Sequence, residues 1–216
     1  MLNITVVFIV LTAGFSILAF YKHEILYKFQ FNAYQIIRRK QYLRLLLHGF
    51  LHANWTHLLV NMLVFYSFGR SLEVFFQHLF GQLAPLYFSA LYILAIIISP
   101  VYSLIKHRNN YHYNAVGASG AVSAVVFASI FFAPWEKIYF FGLVPIPGII
   151  FAFLYLIYCW QMSKKDGDNI AHDAHFFGAV FGLLFPIILN PKLLSYFIEQ
   201  LLGGLWHKWQ KRGTIL

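Results

Sequence analysis

Residues 115–135 have the sequence AVGASGAVSAVVFASIFFAPW, and they decide the class of fold because no charged side chain interrupts them. The charge-free window around them is longer still, from Asn109 to Trp135. A helix needs roughly 20 apolar residues to cross the hydrocarbon core of a bilayer. This stretch therefore predicts a membrane-spanning helix that carries small residues and a serine near its N-terminal end.

Five further charge-free windows flank this stretch. The six windows together are Met1–Tyr21, Leu45–Gly69, Val74–Ile105, Asn109–Trp135, Ile138–Ser163 and Ala174–Pro191. Each of them meets or approaches the length of a helical span. We therefore predict an all-α fold, a bundle of six transmembrane helices in an integral, multi-pass membrane protein.

The composition indicates a chain that resides in lipid. Of its 216 residues, 60% are hydrophobic and only 11% are charged, whereas soluble domains carry about 25% charged residues. The formal net charge is +9, but the cations flank apolar spans, where lipid headgroups attract them. We predict the lipid bilayer as a partner, and no nucleic acid. A single domain over residues 1–216 is expected, with its core at about 44–190 and a basic C-terminal tail at 191–216.

Polar residues inside membrane spans are costly and need a reason, and three groups of them stand out. They are His48, His52, His57 and Asn61 in the second window, Gly117 to Gly120 in the fourth, and His172 and His175 at the sixth. Helices two, four and six cross the membrane in the same direction, so their N-terminal ends share one face. We expect the three groups to meet at one depth.

Helical spacing predicts which of these residues face one another. His57 and Asn61 are four residues apart, one turn apart on one side of a helix. His175 shares a face with Gly178 and Gly182, and small residues allow helices to approach closely in lipid. If this glycine face packs on the small residues of helix four, Ser119 and His175 come within hydrogen-bond range.

Ser119 and His175 would suffice for acyl transfer. A serine hydroxyl is a weak nucleophile until a neighbouring base takes its proton, and a neutral imidazole is suited to this near pH 7. The negative oxygen formed on attack needs preorganised donors. His57, the Asn61 amide and the Ser119 backbone N–H are the candidates.

The motifs that carry these residues resemble those of rhomboid proteases. Gly117-Ala118-Ser119-Gly120 looks like their Gly-x-Ser-Gly. The stretch from His52 to Asn61 is similar to their His-x-x-x-x-His-x-x-x-Asn, and His175 to Gly182 is similar to their His-x-x-Gly-x-x-x-Gly. Gly69 to Glu73, expected to close the second helix, also resembles a glycine-to-glutamate stretch of the family. The resemblance spans roughly Arg44 to Pro186.

The resemblance implies an intramembrane serine endopeptidase with a Ser119–His175 dyad and no third acidic member. It implies an oxyanion site built from His57, Asn61 and the Ser119 backbone N–H. His52, Gly117 and Gly120 are expected to support this site. Transmembrane segments of other proteins would be the substrates, and no cofactor or metal is expected. The compact six-helix layout resembles bacterial members, which implies the bacterial cytoplasmic (inner) membrane.

Charge and resemblance disagree on orientation. With a cytoplasmic N-terminus, the inner connections hold six Lys and Arg residues and the outer ones hold ten. The positive-inside rule favours the opposite orientation. The resemblance implies a cytoplasmic N-terminus and an active site that opens to the extracytoplasmic side. We adopt that orientation, because the basic first connection can lie in the interface.

One departure from the family and two alternative functions remain open. Where several rhomboids have an aromatic residue four positions after the serine, this chain has Ser123, so another side chain would have to hold His175. The chain could be an inactive relative that binds transmembrane helices. It could also be a His-rich membrane metallohydrolase, in which His172 and His175 bind zinc with His48 or His52.

Overall fold

The computed structural model describes residues 3–140, 143–165 and 170–212, and side chains throughout except at residue 140 and residues 204–212. Within these ranges there are eleven α-helices: α1 Ile4–Tyr21, α2 His23–Phe29, α3 Ala33–Arg39, α4 Leu43–Leu47, α5 Trp55–Phe80, α6 Ala84–Ile98, α7 Val101–Lys106, α8 Ser119–Phe132, α9 Gly148–Met162, α10 His172–Leu189 and α11 Leu193–Arg212. Short 3₁₀ turns cover His48–Phe50 and Gly81–Leu83. Two antiparallel strands, β1 Lys137–Phe140 and β2 Val144–Pro147, form a hairpin.

The membrane-spanning character predicted from the windows appears as long apolar helices. In the described part of the chain, Ile4–Tyr21, Trp55–Lys106 and His172–Leu189 are long and apolar enough to cross a bilayer. The second of these stretches contains α5, α6 and α7. Two shorter apolar helices, α8 and α9, complete the set. The prediction of an all-α membrane fold is confirmed, with the small β-hairpin as an addition.

Helix α8 forms the centre of the bundle. Every residue from Gly120 to Phe132 is buried, and α5, α6, α9, α10 and α11 all contact it. Its 14 residues give a length of roughly 21 Å. The hydrocarbon core of a bilayer is about 30 Å thick, so α8 is too short to reach both of its surfaces.

Glycines allow α10 to lie directly on α8. A Cβ atom added to Gly178 would collide with the carbonyl oxygen of Gly120, and one added to Gly182 would collide with that of Ala124. The obstructing atoms belong to the backbone and cannot move aside. The close approach of these two helices therefore depends on the missing side chains.

The predicted end of the second helix is wrong. Gly69 to Glu73 lie inside α5, which continues to Phe80. There the Glu73 carboxylate accepts the backbone N–H of Thr5 at 2.7 Å and a hydrogen bond from Arg70 at 2.6 Å. A carboxylate at the N-terminus of α1 satisfies an otherwise unpaired amide and complements the helix dipole. This stretch thus joins α1 to α5.

Three other predicted boundaries also change. The second window begins with α4 and a turn, and α5 starts only at Trp55 because the Asn54 side chain caps it by accepting the His57 N–H at 2.8 Å. The hairpin, from Lys137 to Pro147, takes up the beginning of the fifth window before α9 begins at Gly148. The region predicted as a basic tail holds α11; its side chains from residue 204 and its residues 213–216 lie outside the described part.

The first connection, predicted to lie on or partly in the membrane interface, folds against the protein. Phe31 and Ile36 are buried in a small cluster of their own. Phe31 pairs with Ala115 through two backbone hydrogen bonds of 2.8 and 3.1 Å. Asn32 donates to the carbonyl of Tyr113. These contacts fix the segment that leads into α8.

Candidate active site

Ser119 and His175 meet where α8 and α10 begin. His175 Nε2 lies 2.6 Å from Ser119 Oγ, at hydrogen-bond distance. Ser119 is the first residue of α8, and His175 lies in the first turn of α10. Both side chains are partly exposed. The residues selected from the sequence as nucleophile and base are therefore brought together.

Gly117 shapes the backbone that leads into Ser119. Its φ of +129° lies in a region that favours glycine. Its N–H donates to the carbonyl of His48 at 3.1 Å. A Cβ atom at this position would lie 2.7 Å from Cε1 of the His57 ring. Both the turn and the close approach of His57 therefore require glycine.

His57 and Asn61 lie on one face of α5, beside the dyad. The Asn61 side-chain amide donates one hydrogen bond to the His57 carbonyl at 2.9 Å. That amide has two N–H donors, so the second is left for another acceptor. The Ser119 N–H is among the first amides of α8, which have no acceptor within the helix. The side chains of His57 and Asn61 and the first residue of α8, Ser119, thus line the same cavity.

These residues line an open cavity of about 980 Å³. Its polar part contains Ser119, His175, His57 and Asn61. A largely apolar part of the remaining wall comes from α5, α8 and α9; it includes Val60, Val64, Val126, Phe127, Phe151 and Tyr155. A hydrolytic pair at the edge of an apolar groove can act on a long hydrophobic ligand.

The supporting residues lie behind this cavity. His52 Nδ1 is 2.9 Å from Ser16 Oγ, and the Ser16 hydroxyl donates to the carbonyl of Phe50. Ser16 has only one proton to donate, so His52 must carry its own proton on Nδ1. The His52 ring packs edge-on against His57 at 4.9 Å between centroids. His52 thus holds His57 in place without lining the cavity.

Gly120 packs next to the start of α10, and the His48 carbonyl accepts the Gly117 N–H just before Ser119. A Cβ atom at Gly120 would collide with the side chain of Ser99 and approach the Ala174 carbonyl at 3.2 Å. His48 is buried, and its Nδ1 lies 3.0 Å from the Arg44 carbonyl. Asp173, the acid nearest to His175 in the sequence, accepts a hydrogen bond from Ser103 on α7.

Sequence reasoning missed Tyr155 on α9. Its hydroxyl lies 2.8 Å from Ser123 Oγ, and its ring lines the cavity. An aromatic side chain therefore does reach position 123, but from a neighbouring helix. The sequence gives only a weak indication that Tyr155 faces the protein interior. Tyr155 and Cys159 are four residues apart, so a helix places both of these side chains on one face.

The metal ligand set that the sequence suggested is wrong. His48 bonds the backbone of its own turn and His52 contacts Ser16. Instead, Cys159 joins His172 and His175: one ligand atom from each of the three residues lies within 4.8 Å of the others. The described side chains thus group the two histidines of α10 with a thiol from α9.

Comparison with known proteins identifies the family. The sequence model of the Rhomboid domain matches residues 39–192. The chain is 28% identical over 163 residues to Rhomboid-related protein 1 of Caenorhabditis elegans, across 71% of this chain and 41% of that protein. It is 26% identical over 151 residues to RHOMBOID-like protein 12, mitochondrial, of Arabidopsis thaliana, across 62% of this chain and 43% of that protein.

Both alignments cover less than half of the relatives' own length, and both relatives are eukaryotic. The bacterial source expected from the layout thus stays a prediction. The domain match covers more than half of the chain. The motifs at the second, fourth and sixth windows that suggested the family lie inside that match. The chain belongs to the rhomboid family.

Proposed function

We propose that this protein is a serine endopeptidase that cleaves transmembrane segments of other membrane proteins within the bilayer. The observation that carries the proposal is the 2.6 Å separation of Ser119 Oγ and His175 Nε2 at the edge of an apolar cavity. A nucleophile within hydrogen-bond reach of its base is the signature of covalent catalysis by serine.

The residues would act in two steps. In the first, Ser119 Oγ attacks the scissile carbonyl while its proton passes to His175 Nε2, which then donates that proton to the leaving amine. In the second, water gives a proton to His175 and attacks the acyl-enzyme, and Ser119 recovers its proton as the acid leaves. The tetrahedral oxyanion of each step would be held by the Ser119 N–H, Asn61 and His57.

The form of the bundle supports a membrane-embedded substrate. Helix α8 is shorter than the hydrocarbon core is thick, so a nucleophile at its first residue can lie below the surface. Val60 on α5 and Phe151 on α9 both line the same cavity. We propose that a substrate helix enters between α5 and α9 and presents an unwound end to Ser119.

We propose a cytoplasmic N-terminus and a site that opens to the extracytoplasmic side, in the inner membrane if the chain is bacterial. The conflicting positive charges lie mostly in the first connection. That connection packs on the protein through Phe31 and Ile36. The positive-inside rule concerns free loops near helix ends, so a folded segment of this kind weakens its force.

A fluorophosphonate probe tests the proposal. We expect the detergent-purified protein to be labelled, and Ser119→Ala to lose the label and the cleavage of a transmembrane substrate, because Ser119 is the activated hydroxyl. The matched control is Ser123→Ala, one helical turn further along α8, which should keep the label. A chelator should abolish neither labelling nor cleavage.

Other outcomes point elsewhere. Cleavage that survives Ser119→Ala and is lost on chelation would indicate a metallohydrolase. Absence of both label and cleavage in the wild type would indicate an inactive protein that binds transmembrane helices. Loss of label in Ser123→Ala with retention in Ser119→Ala would mean that the nucleophile is the other serine.

Asn61→Ala should weaken turnover without abolishing it. One oxyanion donor typically contributes about 10²–10³ in rate, and two donors remain here, so we expect a loss of about 10²-fold in kcat. Labelling kinetics and cleavage assays would measure it. Ser67→Ala is the control, since the Ser67 hydroxyl also bonds a carbonyl four residues earlier on α5. Equal losses in the two variants would refute a role for Asn61 as donor.

A further inference from the structure

Three side chains with metal-binding atoms meet between α9 and α10. Cys159 is buried on α9, His172 is buried on α10, and His175 is partly exposed one turn further along. Their ligand atoms all lie within 4.8 Å of one another. Cys159 is the only cysteine of the chain. The two histidines are three residues apart and share a face of their helix.

We propose that this cluster, the Cys159–His172–His175 site, binds a divalent zinc-like cation. One thiolate and two imidazoles are a ligand set that zinc uses in proteins. Ligand atoms about 2.0–2.3 Å from a tetrahedral zinc lie about 3.3–3.6 Å apart. Closing the observed separation to that spacing requires side-chain movement on the order of 1 Å. Water can take the fourth position.

The surrounding packing keeps the three ligand side chains near one another. The ring of Tyr158 contacts His172 edge-on at 5.5 Å, and Trp160 packs on Phe176 at the same distance. These contacts hold α9 against α10 on either side of Cys159. The cavity supplies the entry path, because His175 lines it and the buried Cys159 and His172 are grouped with His175. On binding, the thiol releases its proton to solvent and the thiolate holds the metal.

The consequence for catalysis rests on the proposed function. If the metal takes Nε2 of His175, it displaces Ser119 from its base. If the metal takes Nδ1, the remaining proton of the neutral imidazole must lie on Nε2, which can then no longer accept the serine proton. Either arrangement removes the general base. The cation would therefore be a reversible inhibitor that competes with catalysis for His175.

Metal binding can be measured without any enzymatic activity. We would titrate Co²⁺ into chelator-treated Ser119→Ala protein and record its absorption spectrum. A thiolate-to-cobalt charge-transfer band is expected, and it can come only from Cys159. Cys159→Ala in the same background should lose the band, and His78→Ala, which alters an exposed histidine of α5, should keep it. A spectrum without the band, or one that Cys159→Ala leaves unchanged, would overturn the site.

A second measurement tests inhibition. Zinc should suppress substrate cleavage by the wild-type protein, and a chelator should restore it. In Cys159→Ala, with rates normalised to the variant's own rate without metal, the half-inhibiting zinc concentration should rise by more than about tenfold, since even loss of an outer partner costs about 10–100-fold in affinity.

The two proposals fail separately. Cobalt binding in a wild-type protein that cleaves nothing would support the proposed metal site and contradict the proposed protease activity. Cleavage that zinc leaves unaffected at concentrations that saturate the cobalt site would overturn the inhibitory role. Cleavage that zinc increases would overturn it as well.

Discussion

We expect His175→Ala to lower the rate of substrate cleavage by about 10⁴-fold or more, because the serine then loses its only assigned base. In serine hydrolases the nucleophile and the base act as a unit, so removing either one costs nearly as much as removing both. Ser119→Ala and the double variant should therefore show the same residual rate. Cleavage of a transmembrane substrate in detergent or in vesicles is the measurement.

The loss should occur in a folded protein. His175 is partly exposed, and its bond to Ser119 contributes about 1 kcal/mol to stability, as hydrogen bonds generally do. The thermal unfolding midpoint of His175→Ala should stay close to that of the wild type. His78→Ala controls for removal of an imidazole. A His175→Ala protein that retains a tenth of the wild-type rate would exclude this residue as the base.

The second large effect is expected from Gly178→Ala, although this substitution adds only one methyl group. The added methyl group would meet the Gly120 backbone, so α10 must move away from α8. A displacement of about 1 Å at a reacting pair can cost 10²-fold in rate. We expect at least that loss in cleavage. Overpacking of this kind also destabilises by about 1–3 kcal/mol.

Gly14→Ala is the matched control, because nothing lies within 4 Å of a Cβ atom at Gly14 on α1. It should keep full activity and lose no stability, since alanine is the better helix former. Fluorophosphonate labelling of Ser119 should fall together with cleavage in Gly178→Ala. Normal labelling and cleavage there would show that the α8–α10 contact does not hold the dyad in register.

The candidate site was accessible from the sequence because its chemistry is local. Ser119, His57, Asn61 and His175 each stand at the start of an apolar helix, and helices that cross in one direction bring such ends together. The spacing on α10 was equally informative, since His175, Gly178 and Gly182 share a face in a helix, whereas in a strand His175 would lie on the face opposite the two glycines. Three-residue and four-residue spacings needed no knowledge of the tertiary structure.

The missed features depend on contacts between distant segments. Glu73 lies inside α5, where it accepts the Thr5 N–H at the N-terminus of α1, and charge-free windows cannot reveal this contact. The same windows divided α5 at Arg70, although one ion pair on a helix surface does not end the helix. Tyr155 and Cys159 looked like ordinary residues of an apolar span, and only the packing of α9 gives them polar neighbours.

Helix α8 is enclosed by other helices, and this enclosure distinguishes the admission of a substrate from the chemical step at Ser119. Ser119 lies at the end of a helix that is packed on all sides, so α8 cannot move toward a substrate. Any rearrangement that admits a substrate therefore involves the outer helices. Those outer helices carry the exposed apolar side chains, such as Leu63 on α5 and Phe153 on α9, which suit contact with lipid. Bilayer thickness and stiffness should therefore govern how often a substrate arrives at the proposed active site, while the proposed bond-breaking step at Ser119 should proceed at the same rate in every lipid mixture.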